Sequence, residues 1–219
     1  MGWPKELVLV RHAESEGNVR DVAERVEYDV ATHDYDITER GREQARITGE
    51  WLHERYPDGF DVFYTSYYRR ARETMAIMYP DAKVYEDPRL AEGQRGIFHT
   101  YTQAQIDECF PYERARKERE DLYHYRPPGG ENWADIELRI HSFLGTVTRD
   151  MEAKSVLIVV HGHWLLLMQR LIEHFSIESA IERYGGKIVA NTSVTRYVGR
   201  EGCRRLEFLD YVVPWDGEP

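Results

Sequence analysis

Three apolar runs in this 219-residue sequence end in residues that could do chemistry on an anion. Leu7-Val8-Leu9-Val10 leads into Arg11-His12. Asp61-Val62-Phe63-Tyr64-Thr65 leads into Ser66 and then Arg70, and Val156-Leu157-Ile158-Val159-Val160 leads into His161-Gly162-His163. An imidazole can attack phosphorus, and a guanidinium fork offers parallel N–H donors to phosphoryl oxygens. A single Arg-His pair is a common dipeptide, so the weight lies in the repetition. If the three runs are parallel neighbours, Arg11, His12, Arg70 and His161 share one edge of a sheet. In open α/β sheets, ligands bind outside the carboxyl ends of the strands. The expectation is a dianion pocket with a histidine nucleophile.

The elements needed to hold these residues can be read around them. Runs of β-favouring apolar residues bounded by polar loops read as buried strands at 7–10, 61–65, 83–86 and 155–160. Thr38 reads as the N-cap of a helix with Ala45, Thr48, Trp51, Leu52 and Tyr56 at three- and four-residue steps, stopped by Pro57-Asp58-Gly59. The helix after 61–65 carries Arg70 in its first turn, where free N–H groups and a partial positive charge also favour a phosphate. Ala71, Met75 and Met78 face inward; Arg69 and Arg72 are the competing candidates for the anion, but the spacing from Ser66 and the following Ala favour Arg70 and leave them as a solvated face. Residues 19–37 read as a loop or short helix near the mouth of the site.

Further along, Pro127-Pro128-Gly129-Gly130-Glu131-Asn132 is a turn cluster. The next helix has a packing stripe of Ile136, Ile140, Phe143, Leu144, Val147 and Met151. The helix from His163 is apolar most of the way round and therefore buried. Ser176 opens a short helix ended by Gly185-Gly186. Strand-like runs follow at 187–190, 193–199 and 204–213, with a turn at Arg200-Glu201-Gly202. This alternation argues an α/β fold.

Residues 93–131 mix Phe98, Tyr101, Phe110, Tyr112, Tyr123 and Tyr125 with arginines and acids. They read as a lid or insertion within one domain spanning 1–219, the place where substrate choice resides. The Arg/Glu run at 113–121 is expected to be a helix laced with i,i+4 ion pairs.

Composition narrows the partners. The formal net charge is −10 and no Lys/Arg block dominates any segment, which argues against nucleic acid and anionic membranes. A small phosphate ester can still enter a local arginine cluster. Cys109 and Cys203 lack metal or redox spacing and are expected to be reduced thiols. The first strand leaves no room for a signal peptide before it, Glu6 breaks the myristoylation pattern, and no apolar run reaches the roughly 18 residues of a membrane span. The expected location is cytoplasmic. No Gly-x-x-x-x-Gly-Lys-Ser/Thr loop occurs, which disfavours a nucleotide kinase.

Arg11-His12-Ala13-Glu14-Ser15 with Asn18, Thr65-Ser66 with Arg70-Ala71 and Thr74, Leu90-Ala91-Glu92, and His161-Gly162 fall in an order that resembles the histidine phosphatase superfamily, or phosphoglycerate-mutase-like proteins. The resemblance spans residues 7–195. It implies a three-layer α/β/α fold with a central, mostly parallel sheet. It also implies that His12 becomes phosphohistidine while Arg11, Arg70 and His161 hold the phosphoryl oxygens. Asn18, Ser15 and the Gly162 N–H would bind substrate, and Glu92 would be the general acid and then the base. Glu86 and Asp87 are alternative acids. No metal is required in this scheme.

Departures from the family pattern are few. Ala13 stands where glycine is usual, an expected narrowing of the pocket, and Ile37-Thr38 and Asn132 replace Leu-Thr and Ser. His163 has no family role and reads as a rim or helix-start histidine. Asn191-Thr192-Ser193-Val194-Thr195 resembles a late strand signature and is read as structural support near the pocket.

The leading expectation is a metal-independent phosphomonoesterase without cofactor, acting on a small phosphorylated metabolite, with homodimerisation open. The first alternative is a phosphoglycerate mutase primed by 2,3-bisphosphoglycerate, of whose lid Tyr125-Arg126-Pro127-Pro128-Gly129-Gly130 is a shortened echo. A metal-dependent hydrolase using His12, His161, His163 and Glu92, and a non-catalytic phospho-ligand sensor, are the readings from other classes.

Overall fold

Local sequence choices account for most element boundaries in the computed structural model, which describes residues 2–186, 189–199 and 206–216. In chain order these are β1 (Glu6–Arg11), α1 (Glu16–Val19), α2 (Val22–Glu27), α3 (Glu39–Arg55), β2 (Val62–Thr65), α4 (Arg69–Met78) and β3 (Val84–Glu86). Then come α5 (Gln103–Cys109), α6 (Pro111–Arg119), α7 (Trp133–Asp150), β4 (Ser155–Val160), α8 (Gly162–Glu173), α9 (Ile177–Gly186), β5 (Val194–Gly199) and β6 (Leu206–Val212). Thr38 caps α3 by accepting from the Gly41 N–H at 3.0 Å. Asn132 and Asp135 cap α7 reciprocally, each side chain accepting from the other's backbone N–H.

The six strands form one sheet in the order β3-β2-β4-β1-β5-β6. β3, β2, β4 and β1 run parallel, and β5 and β6 continue the sheet antiparallel. The three sequence runs are thus neighbours, with β4 in the middle.

Alternate residues of the central strands build the two outer layers, as the two-residue period of a strand requires. Leu7 and Leu9 of β1, with Val156, Ile158 and Val160 of β4, pack against Ile136, Ile140 and Phe143 of α7 and Trp164 to Met168 of α8. Val8, Val10, Leu157 and Val159 face the other way, onto Ala45 and Leu52 of α3 and Met75 and Met78 of α4. The result is the three-layer α/β/α arrangement, and both layers meet the sheet close to the strand ends that carry the polar residues.

Two close approaches fix the loops beside that edge. A Cβ at Gly41 would lie 2.1 Å from the Glu14 carbonyl oxygen, so only glycine lets α3 pass the loop after His12. Gly96 has a φ of +52° and would place a Cβ 2.1 Å from the Pro128 carbonyl oxygen, which ties the start of the 93–131 segment to its end.

The structure departs from the sequence reading in two places. Ala13 does not narrow the pocket: its methyl is buried with Val8, Val10 and Ile37, and its N–H donates to Thr74 Oγ1 at 2.9 Å. A polar partner on α4 draws the residue into the layer beneath the strand end. In the run 187–190, Val189 and Ala190 are not in a strand: the Val189 carbonyl accepts from Arg11 at the end of β1, and the Ala190 N–H donates to the Tyr211 hydroxyl; residues 187 and 188 lie outside the described residues. The Arg200-Glu201-Gly202 turn and Cys203 also lie outside them.

Candidate active site

His12 follows β1 directly, and its N–H donates to the Val160 carbonyl of β4 at 2.9 Å. The buried ring places Nδ1 2.7 Å from the Ala13 carbonyl oxygen. A carbonyl only accepts, so Nδ1 carries the proton and Nε2 keeps its lone pair. The Nε–H of Arg70 donates to that lone pair at 3.2 Å. Burial, then the charges of Arg70 and Arg11, push the His12 pKa well below the ordinary histidine value, so the ring is neutral at pH 7.

Arg70 sits in the first turn of α4 and is buried, with NH1 donating to the Thr32 carbonyl at 2.8 Å. Its guanidinium carbon is 4.7 Å from the centroid of the Tyr68 ring. Arg11, the last residue of β1, is tied through NH1 to the Val189 carbonyl. Burial lowers both guanidinium pKa values, while the charge of Glu92 works in the opposite direction.

His161 follows β4, fully buried, with its ring centroid 5.2 Å from that of His12. Its Nε2 is 2.8 Å from Ser66 Oγ, and its buried Nδ1 has no partner among the described residues. Gly162 is the first residue of α8, where helix geometry leaves the N–H without an intrahelical acceptor.

A cleft of about 330 Å³ opens over this floor, lined by Arg11, His12, Ser15, Asn18, Arg70 and Glu92 among others. His161 and Gly162 do not line it; His161 reaches the site through its contact with His12. Asn18 Oδ1 accepts from the N–H and the hydroxyl of Ser15, both at 3.0 Å, which leaves the Asn18 amide N–H groups for a ligand.

Glu92 follows a 3₁₀ turn at Pro88–Leu90. Its Oε1 accepts from the Gly93 N–H at 3.0 Å and its Oε2 from the His163 N–H at 3.3 Å. The two alternative acids are elsewhere: Asp87 is paired with Arg89 at 2.6 Å and Glu86 faces Arg72, and neither lines the cleft. Arg69 and Arg72 are nearly half exposed and ion-paired, as a solvated face should be. Among the described residues no group of three or more His, Cys, Asp or Glu is placed to hold a metal ion.

The family model described as histidine phosphatase superfamily (branch 1) matches residues 7–211. The chain belongs to that superfamily. It is 32% identical over 179 residues to a 2,3-bisphosphoglycerate-dependent phosphoglycerate mutase 2 from Gloeobacter violaceus, covering 78% of this chain and 77% of that protein. Among solved structures, Bacillus stearothermophilus YhfR superposes with a TM-score of 0.71 at 25% identity, covering 93% of this chain and 94% of that one. A mycobacterial glucosyl-3-phosphoglycerate phosphatase superposes with a TM-score of 0.69 at 24% identity, covering 94% and 96%. The superfamily is thus secure, while the names of these relatives divide between mutase and phosphatase.

Arg139 and Tyr68 of this superfamily member do site work that the sequence reading did not assign, while Asn191 and His163 stand where it placed them, as support near the pocket and a helix-start histidine at its rim. Arg139 of α7 forms a double ion pair with Glu131 and donates to the Ala91 carbonyl at 2.7 Å and the Glu92 carbonyl at 3.3 Å, bracing the chain that leads into Glu92. Tyr68 packs edge-on to His161 at 4.9 Å and accepts from Gln94 Nε2 at 2.5 Å, joining the floor to the 93–131 segment. Burial raises the Tyr68 pKa to about 12, which keeps it a neutral hydroxyl. Asn191 donates to the His12 carbonyl at 2.9 Å, a backbone contact that no spacing in the sequence announces. His163 is the second residue of α8 and lines the cleft, its ring 4.8 Å from Trp133 and 5.1 Å from Tyr184. Among the described residues no helix is long and apolar enough to cross a membrane.

Proposed function

We propose that the protein is a phosphomonoester hydrolase that acts on a small phosphorylated metabolite through a phosphohistidine formed on His12. One observation carries the reading: a buried neutral imidazole whose protonated Nδ1 is spent on the Ala13 carbonyl, so that Nε2 presents its lone pair in a cleft beside two buried guanidiniums. In the proposed reaction Nε2 attacks phosphorus, a P–N bond forms, and the ester P–O bond breaks. Arg11 and Arg70, which line the cleft, stabilise the equatorial oxygens, with the Asn18 amide as a neutral donor; Ser15 orients that amide, and His161 packs behind the His12 ring. Glu92, protonated, gives its proton to the leaving alkoxide. As a carboxylate it then takes a proton from the water that attacks the phosphohistidine, which returns inorganic phosphate and free His12. The scheme needs no metal and no cofactor, and residues 93–131 act as the lid of a single domain.

A mutase is the second reading, favoured by the name of the Gloeobacter relative. The two part at the phosphoenzyme, which water attacks in one case and the substrate in the other. The test is phosphate release from a panel of esters in EDTA, with 3-phosphoglycerate primed by 2,3-bisphosphoglycerate in the same series and His12→Ala as control. Free phosphate from several esters, lost in the variant and without 2-phosphoglycerate, is the expected result. Fast 2-phosphoglycerate formation with little free phosphate would make it a mutase. Ester binding without any phosphoenzyme would leave a sensor.

A further inference from the structure

The stretch from Val189 to Ser193 wraps the point where β1 gives way to His12. Arg11 N–H donates to the Ser193 carbonyl at 3.2 Å, and Thr192 N–H donates back to the Arg11 carbonyl at 3.0 Å. Within this wrap Asn191 Nδ2 donates to the His12 carbonyl at 2.9 Å and to Asn18 Oδ1 at 3.4 Å. Both partners are acceptors, which fixes the orientation of the amide.

The peptide unit joining His12 to Ala13 is therefore held at both of its polar atoms. Asn191 grips the C=O, and Thr74 Oγ1 accepts from the N–H at 2.9 Å. The next carbonyl along, that of Ala13, receives the His12 Nδ1 proton and so sets the tautomer. A rotation of this one peptide would turn the ring of the nucleophile away from the cleft.

Asn191 is itself held from outside the wrap. The indole Nε1–H of Trp215 donates to the Asn191 carbonyl at 2.7 Å, and Tyr211 of β6 accepts from the Ala190 N–H at 3.1 Å. The Trp215 ring is half-buried, with the guanidinium carbon of Arg40 5.2 Å from its centroid. Trp215 lies past residue 211, where the family match ends.

We propose that Trp215 is a positioning residue for the nucleophile: through Asn191 it fixes the His12–Ala13 peptide and with it the direction of the His12 Nε2 lone pair. The inference rests on the phosphohistidine reading. Reactivity is sensitive to such alignment, and a displacement on the order of 1 Å can cost about 100-fold in rate.

Trp215→Phe keeps an aromatic ring beside Arg40 while removing the indole N–H and part of the ring area. The rate of phosphoenzyme formation with an aryl phosphate is expected to fall about tenfold, with little change in melting temperature. Asn191→Ala should slow the same step, and adding Trp215→Phe to it should cost nothing more, because residues acting in series are not additive. Leu209→Ser, on the exposed side of β6, serves as the control and should leave the rate unchanged. A wild-type phosphorylation rate in Trp215→Phe, or fully additive losses in the double variant, would overturn the proposal. If the wild-type protein forms no phosphoenzyme, the catalytic reading fails on its own. The positioning is then read from the His12 ring resonances by NMR, which shift in Trp215→Phe if the anchor holds and stay in place if it does not.

Discussion

The floor of the cleft and the segment that covers it are built by opposite means. Floor contacts join residues far apart in sequence: Arg70 to His12, His161 to Ser66, Ala13 to Thr74, each between buried groups with at least one partner just past the end of a core strand. In the 93–131 segment most polar contacts are local, such as Gln103 with Asp107, Arg114 with Glu118, and Arg116 with Glu113 and Glu120. Ile106 is the one buried residue of α5 and Glu113 that of α6. A floor of long-range buried bonds holds one geometry, because moving any group leaves a neighbour unsatisfied at about 1–3 kcal/mol. A cover made of local surface pairs can change sequence and shape with little effect on the rest of the fold. On the proposed function, this division would place the chemistry in the floor and the choice of ester in the cover.

The sharpest way to break this division is at the nucleophile. His12→Ala is expected to lower turnover of every ester by at least about 1,000-fold, while circular dichroism keeps the helix and strand signal of the wild type. Activity within a few fold of wild type would put the chemistry somewhere other than the floor.

Glu92 stands at the seam, on the floor side of Gly93, and its removal should show a graded effect. In Glu92→Gln, alkyl phosphates, whose alkoxide needs a proton, should slow about 100-fold, and nitrophenyl phosphate by much less. Equal slowing of both would assign the acid to another residue.

The same division explains what was legible in the sequence. Arg11, His12, Arg70 and His161 could be placed because each follows an apolar run of four or five residues, and the parallel pairing of those runs brings the ends together. The fold class followed from the alternation of such runs with amphipathic helices. Arg139 was hidden because its partners, Glu131 and the carbonyls beside Glu92, are chosen by the packing of α7 and not by any local pattern. Asn191 was read as support near the pocket, as the structure has it, but its partner, a backbone carbonyl more than 170 residues away, was hidden for the same reason, and so was Trp215. Ala13 was misread because its direction depends on Thr74, a partner on another element. The cover gave its helix and ion pairs to the sequence reading, because those depend on neighbours three and four residues apart.

Histidines wholly or partly withdrawn from water offer a comparison that spans both regions. Burial, reinforced by nearby arginines, lowers the pKa of His12 and His161 in the floor, and in the cover lowers His99 from 6.5 to about 4. Each ring is neutral in the folded protein but takes up a proton in the unfolded chain once the pH drops below about 6.5. Unfolded chain then binds more protons than folded, so stability falls as the pH is lowered through that value; for His99 the loss levels off near pH 4. The limiting slope is about 1.4 kcal/mol per pH unit for each such histidine. Urea midpoints of wild type and His99→Gln between pH 7 and 4.5 are the measurement. The variant should lose stability less steeply, by up to one proton, and identical slopes would mean that His99 titrates normally.

The smallest expected effect tests the cover's tolerance directly. Arg114 pairs with Glu118 at 3.0 Å, but both side chains are more than half exposed. An exposed i,i+4 pair on a helix contributes about 0.3–0.5 kcal/mol, much of it screened by salt. Arg114→Ala should therefore shift the urea midpoint by an amount close to the error of the measurement and leave kcat on any ester unchanged. Thr74→Val, which removes one hydroxyl from the floor, should by contrast cost about 1–3 kcal/mol, because the Ala13 N–H is left buried without an acceptor. If the two substitutions cost the same, the cover is bound to the fold as tightly as the floor. Substrate choice could then not vary in the cover independently of the chemistry beneath it.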